Sequence, residues 1–180
     1  MIRTFKQITM AAIVAGATLL PTYAATTTTQ PELERTQRAI RKELLTMPFL
    51  SIFDNLSCRV DGDTVHLYGQ VVRPTLKSQA EKRVAQLEGI TRVDNQIEVL
   101  PLSPFDNQIR FAVANAVYGQ SSMNRYALGA NPSIRIIVKN GNVTLEGVVA
   151  DSGARNIANL MANGVSGVFS VTNNIQVERR

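Results

Sequence analysis

The chain uses one short hairpin twice. Asp61-Gly62-Asp63-Thr64-Val65-His66-Leu67-Tyr68-Gly69-Gln70-Val71 returns as Lys139-Asn140-Gly141-Asn142-Val143-Thr144-Leu145-Glu146-Gly147-Val148-Val149. Asp-Gly and Asn-Gly are strong hairpin signals because these residues tolerate the positive φ of a tight turn. The Val-x-Leu-x-Gly-x-Val that follows alternates as a strand does, with Val65, Leu67 and Val71 on one face. The likeness extends beyond the hairpin. Val60 to Val99 aligns with Val138 to Val177 at a constant offset of 78, without a gap, and eleven of the forty positions are identical. A self-similarity of that length marks a duplicated domain. Each copy is about seventy residues, near the lower limit for independent stability.

Periodicity gives each copy the order α-β-β-α-β. Pro31 suits the first turn of a helix that carries Leu33, Ile40 and Leu44 on one face. Strands are expected at Leu56–Val60, Thr64–Val72 and Arg92–Val99. Pro74 opens a second helix with Leu76, Ala80, Val84 and Leu87 inward. The second copy repeats the order, with Ile109, Val113 and Val117 on its first helix and Ile157, Ala158, Met161 and Val165 on its second. The fold class is therefore α+β: two units, each with two helices packed on a small three-stranded mixed sheet. The expected boundaries are 31–100 and 105–178, joined by a stiff linker over 101–104 that contains Pro101 and Pro104. Gly69 and Gly147 fall in phase with inward residues and are expected to admit a crossing helix. Gly89 and Gly167 are expected to cap the second helices. Asn95 and Asn173 are expected to tie down nearby loop backbone, because a buried amide must find partners.

The N-terminus reads as an address. Arg3 and Lys6 precede an apolar run from Ile8 to Leu20 that is too short to span a bilayer, and small residues follow near Ala24. Residues 1–24 are expected to be a signal peptide and 25–30 a Thr-rich tether, which makes the protein exported, in the periplasm or cell envelope. Loss of that leader lowers the formal charge from +5 to +3. Residues 30–100 carry ten basic and ten acidic side chains, so no polybasic cluster speaks for nucleic acid. Cys58 is the sole cysteine, which excludes an intramolecular disulfide, and it alternates with Leu56 and Val60 as a core strand residue does.

With these motifs in place the chain resembles the BON domain family, in tandem. The resemblance rests on the element order, on Thr64-Val65-His66-Leu67-Tyr68-Gly69 and Gly141 to Gly147, and on the endings Gly89-Ile90 to Val99 and Gly167-Val168 to Val177. It implies a bacterial envelope protein that interacts with phospholipid membranes or other envelope components and has no catalytic apparatus. The first hairpin departs slightly from the pattern, since Gly62 sits one place early, which bears on the turn type.

The chemistry in the sequence agrees with a binding module. One histidine, His66, supplies neither a multi-histidine metal site nor a Ser-His-Asp set. No Gly-x-Gly-x-x-Gly occurs, and the turn glycines lead into strands. No catalytic, cofactor-binding or metal-binding residue is assigned, and no cofactor is expected. The informative residues are apolar side chains in the loops before each hairpin: Phe49, Leu50, Ile52 and Phe53 in the first unit, and Met123, Tyr126 and Leu128, with Arg125 among them, in the second. Phe111 adds an aromatic, and Leu160 stands where the first unit has Lys82. Two readings remain. These residues pack on or between the cores, or Phe49, Phe53, Met123, Arg125 and Tyr126 form a surface for lipid or a protein partner. The function expected is phospholipid-membrane or envelope association. The alternative is a protein–protein module, an assembly subunit or a periplasmic stress-type chaperone. A homo-oligomer is compatible with either.

Overall fold

Helix α1 (Gln30–Leu45) opens the first unit and sets Ile40 and Leu44 inward. Strands β1 (Asn55–Asp61) and β2 (Thr64–Val71) form the first hairpin. Helix α2 (Pro74–Ala85), β3 (Arg92–Asn95) and the short β4 (Glu98–Val99) complete the unit. The second unit repeats the plan with α3 (Pro104–Tyr118), a 3₁₀ turn at Ser121–Met123, the single-turn α4 (Asn124–Ala127), β5 (Ile134–Lys139), β6 (Asn142–Val149), α5 (Ser152–Asn163), β7 (Ser170–Asn173) and β8 (Gln176–Val177). The computed structural model describes residues 30–129 and 131–178. The expected signal peptide and all of the tether except Gln30 lie outside the described residues.

Both sheets have one topology. β1 pairs antiparallel with β2, and β2 pairs parallel with β3 and then β4; β5, β6, β7 and β8 repeat this arrangement. Cys58 opposes Leu67 and Ile136 opposes Leu145, so the offset of 78 carries over into the register. The helices cover one face of each sheet. Val65, Leu67, Val71, Leu76, Ala80 and Val84 build the first core with Ile40 and Leu44. Ile134, Ile136, Val138, Val143, Leu145 and Val149 build the second with α3 and α5.

The last strand of each unit, expected as one piece, is broken in two. The cause is the asparagine in its middle. Asn95 Oδ1 accepts from the Ile97 amide two residues on, and its Nδ2 donates to the Lys77 carbonyl of α2 at 2.9 Å. Asn173 does the same with Ile175 and with the Arg155 carbonyl of α5. The asparagines thus bind a strand to a helix, where loop backbone had been expected.

The framework glycines also differ from expectation. At Gly69 (φ 116°) and Gly147 (φ 131°) the nearest atoms belong to the neighbouring strand end, not to a helix. A Cβ on Gly69 would overlap the Asn55 carbonyl oxygen, and one on Gly147 the Ser133 carbonyl oxygen. The constraint is the neighbouring strand end, combined with a backbone conformation that L side chains avoid. Helices α2 and α5 end before Gly89 and Gly167, at caps Gln86 and Gly164. The two hairpin turns differ as well. Asn140 (φ 51°) and Gly141 (φ 76°) both have positive φ, as a type I′ turn requires, whereas in the first turn only Gly62 does.

Two buried carboxylates hold the loops. Asp54 accepts from the Ser51 amide and hydroxyl at 2.8 and 2.7 Å, and from the Val72 amide at 2.7 Å. Asp106, in the first turn of α3, accepts from the amides of Asn140 and Gly141 at 2.9 and 2.8 Å. One turn later the buried Arg110 donates to the Val138 carbonyl and to Asn107 Oδ1, both at 2.8 Å. Burial lowers the Arg110 pKa, and the nearby Asp106 and Asp54 charges oppose that fall. Removing Asp106 strands two amides and a buried cation. Asp106→Ala is expected to destabilise the protein by about 3 kcal/mol, and Gly147→Ala by about 3 kcal/mol through clash and strain. Urea unfolding followed by circular dichroism measures both.

Candidate functional site

The loop between α1 and β1 begins where Thr46 and Met47 close off the helix. Asp54 then clamps the loop from within, so its side chains have fixed places. Met47 is buried in the first core. Phe49 takes φ 66° and is turned outward, 67% exposed, with the Arg73 guanidinium 5.0 Å from its ring centre. Ile52 and Phe53 leave their own unit and pack against the second core. Phe53 meets the Phe111 ring edge-on at 5.3 Å. The Ile52 carbonyl accepts from the Ile136 amide of β5 at 2.8 Å, and the Ser51 carbonyl accepts from Arg135 at 2.9 Å. Asn131 Nδ2 donates to the Leu45 carbonyl, and Lys139 pairs with Glu98. The loop is thus the joint between the units.

The matching loop of the second unit turns inward. The 3₁₀ turn and α4 place Met123 and Tyr126 three residues apart on one helical face, and both enter the second core. Tyr126 Oη accepts from the Ala150 amide at 3.1 Å, and the Tyr126 carbonyl accepts from Ser133. Arg125 and Leu128 remain exposed. The five loop residues therefore do not form one surface. Met123 and Tyr126 are core, Phe53 belongs to the joint, and Phe49 and Arg125 are exposed in different loops. A spacing of three between Met123 and Tyr126 was the sequence signal for a buried helical face.

A different apolar surface lies at the hairpin-turn end of the second unit. Phe169 is 75% exposed and Phe105 is 49% exposed. Each leans on glycine backbone at that end. A Cβ on Gly141 would lie 2.5 Å from Phe169 Cδ2, and one on Gly167 would lie 3.1 Å from Phe105 Cζ. The Phe169 amide donates to the Gly141 carbonyl, and Asp106, beside Phe105, holds the same turn. Leu160 on α5 and Leu102 before α3 are also exposed. The first unit is polar at the matching positions. Thr91 stands for Phe169 and bonds to Asp63; Lys82 stands for Leu160. Comparing the two copies position by position would have singled out Phe169, which apolar periodicity alone passes over.

Several titratable groups are engaged locally. His66 Nδ1 lies 2.9 Å from Asp94 Oδ2 on the open face of the first sheet. Hydrogen bonds from Gln96 and then His66 hold the Asp94 carboxyl below its ordinary value. Burial pushes the Cys58 thiol up, opposed by the Arg41 charge. Among the described residues, no three His, Cys, Asp or Glu side chains are grouped to hold a metal. No helix among them is long and apolar enough to cross a membrane.

The BON domain model matches residues 33–101 and 120–179. The chain belongs to the BON domain family. BON domains are generally non-catalytic modules associated with membranes or the envelope, and often periplasmic. No curated protein matches this tandem BON chain. Two solved structures of CdsD, a structural protein of the type III secretion system of Chlamydia trachomatis, are similar to it at 12% identity and TM-score 0.31. The first, of the C-terminal domain, covers 79% of this chain and 96% of its own; the second covers 78% and 91%. That superposition is too loose to bear on fold or role.

The two BON units meet through an aromatic pair that double-mutant analysis can isolate. Phe53→Ala and Phe111→Ala, singly and together, should show a coupling of about 1 kcal/mol in unfolding free energy.

Proposed function

We propose that this tandem BON protein is a non-enzymatic module that attaches to phospholipid surfaces through the turn end of its second unit. The observation that supports this reading is the pair Phe105 and Phe169, exposed against glycine backbone at the turn end of the unit, with Leu160 and Leu102 also exposed. Aromatic and leucine side chains held outward suit the boundary between headgroups and acyl chains. The positions are apolar in the second copy and polar in the first, so the framework does not require them to be apolar.

The attachment is apolar in origin. Between 103 and 178 the chain has five basic and four acidic side chains. Lys139 is paired with Glu98, and Arg110 is buried. Little charge is left to attract anionic lipid, so binding should depend weakly on salt.

Co-sedimentation with vesicles of phosphatidylcholine, alone and mixed with phosphatidylglycerol, tests this reading. Phe105→Ser with Phe169→Ser should abolish sedimentation while leaving the unfolding free energy from urea titration within about 0.5 kcal/mol of the parent, as surface changes do. Phe49→Ser should sediment as the parent does. Failure of the parent to bind either vesicle at low and high salt would refute the proposal.

A further inference from the structure

The second unit closes the outer edge of its sheet, and the first does not. Along β5 the Ile134 carbonyl accepts from Tyr118 Oη at 2.6 Å. The Ile136 amide donates to the Ile52 carbonyl at 2.8 Å, and the Val138 carbonyl accepts from Arg110 at 2.8 Å. Two elements, α3 and the loop between α1 and β1, thus satisfy one outward group on each of Ile134, Ile136 and Val138. The register places the equivalent groups of β1 on Leu56, Cys58 and Val60. Among the described residues, none of these has a partner on that side.

The difference is written in the first helices. α1 and α3 align through their buried pairs, Ile40 with Val113 and Leu44 with Val117. Gln37 then replaces Arg110 and Leu45 replaces Tyr118, so neither edge-binding group is present in the first unit. Beside β1 lies a groove of about 340 Å³, bordered by Gln37, Arg41, Leu44 and Cys58. Hollows of about 300 and 320 Å³ adjoin it, and Arg41 borders all three.

We propose that this edge takes up an extended polypeptide segment bearing carboxylates, as an added strand beside β1. The molecule contains its own template. In the second unit the same place holds Ser51 to Phe53, an apolar segment against Phe111 and the buried Ala114. In the first unit those two helix positions are Arg38 and Arg41. The occupant therefore changes from apolar to acidic. Arg38 spends only its Nε, on the Glu34 carbonyl, and the Arg41 side chain makes no hydrogen bond or ion pair among the described residues. Three acids border these hollows: Asp54 is engaged with Ser51 and Val72, Glu146 with Asn174, and the exposed Glu34 offsets one of the two arginine charges. Main-chain bonds to β1 would supply affinity and the arginines selectivity, as in other strand additions. A second copy of this chain is a poor occupant. Pairing two β1 edges about a two-fold axis would bring the Arg38 and Arg41 stripes of both copies together.

Hydrogen exchange resolved by residue tests the proposal on the full chain. In the free protein the amides of Leu56, Cys58 and Val60 should exchange rapidly while that of Ile136 is protected. A capped Thr-Glu-Val-Glu-Val-Glu-Thr peptide should slow the three β1 amides, and its lysine counterpart should not. Arg41→Ala should weaken binding of the acidic peptide about tenfold, as loss of one charge-assisted contact does. Arg41→Glu should reverse the preference between the peptides, which a merely misfolded variant could not do. Protection of the β1 amides in the free chain, equal effects of both peptides, or slowing by phosphatidylglycerol vesicles but not by the acidic peptide would each overturn the proposal. The Phe105→Ser, Phe169→Ser variant should keep the peptide response, which separates this groove from the apolar end.

Discussion

The second unit depends on a charge that water does not reach. Arg110 is buried on α3, and its guanidinium is held by the Val138 carbonyl and Asn107, with the Asp106 carboxylate one turn away. Taking such a cation out of water costs several kcal/mol unless its protons find acceptors and a counter-charge stands near; both terminal nitrogens of Arg110 have acceptors, and its buried Nε has none among the described residues. Those conditions fix where α3 lies. Asp106 ties the start of the helix to the β5–β6 turn, and Arg110 ties its middle to the edge of β5. Once α3 is set in this way, Phe105 stands beside Gly167 and Phe111 is ready to meet Phe53. The apolar end and the joint between the units both follow from this polar pin.

The first unit has no such pin and uses a different economy. Its buried carboxylate, Asp54, secures a loop and not a helix. Its α1 presents arginines where α3 presents Phe111 and Ala114. Duplication gave two copies of one sheet with one register, and the differences that set the joint and the apolar end lie at the first helix and at the turns. The framework asparagines and strand glycines stayed the same, because each answers a local demand that recurs: a carbonyl of the second helix to be satisfied, and a strand end too close for a Cβ.

What could be read from the sequence follows that division. Hairpins, register, inward faces of the second helices and the duplication were legible because period and turn chemistry are local. The joint was not. Ile52 and Phe53 carry no period that says which of two cores receives them, and Ser51 meets Arg135 across 84 positions. For Met123 and Tyr126 the sequence left core and surface both open, because the loop before β5 shows no long period; a short helical turn buries them. Gly69 and Gly147 were recognised as places needing close approach, but a strand and a helix neighbour cannot be told apart from a glycine alone. Phe105 and Phe169 escaped because each is a lone apolar residue at the end of an element.

The bond between Ile52 and Ile136 also bears on the timing of folding. A strand edge with unpaired amides invites pairing with other chains while a protein is still being made. Synthesis runs from the N-terminus, so the first unit and its loop exist before β5 emerges. The group that covers the Ile136 amide is therefore waiting when that edge forms. Reversing the order of the two units would leave β5 bare for the whole interval in which the other unit is synthesised.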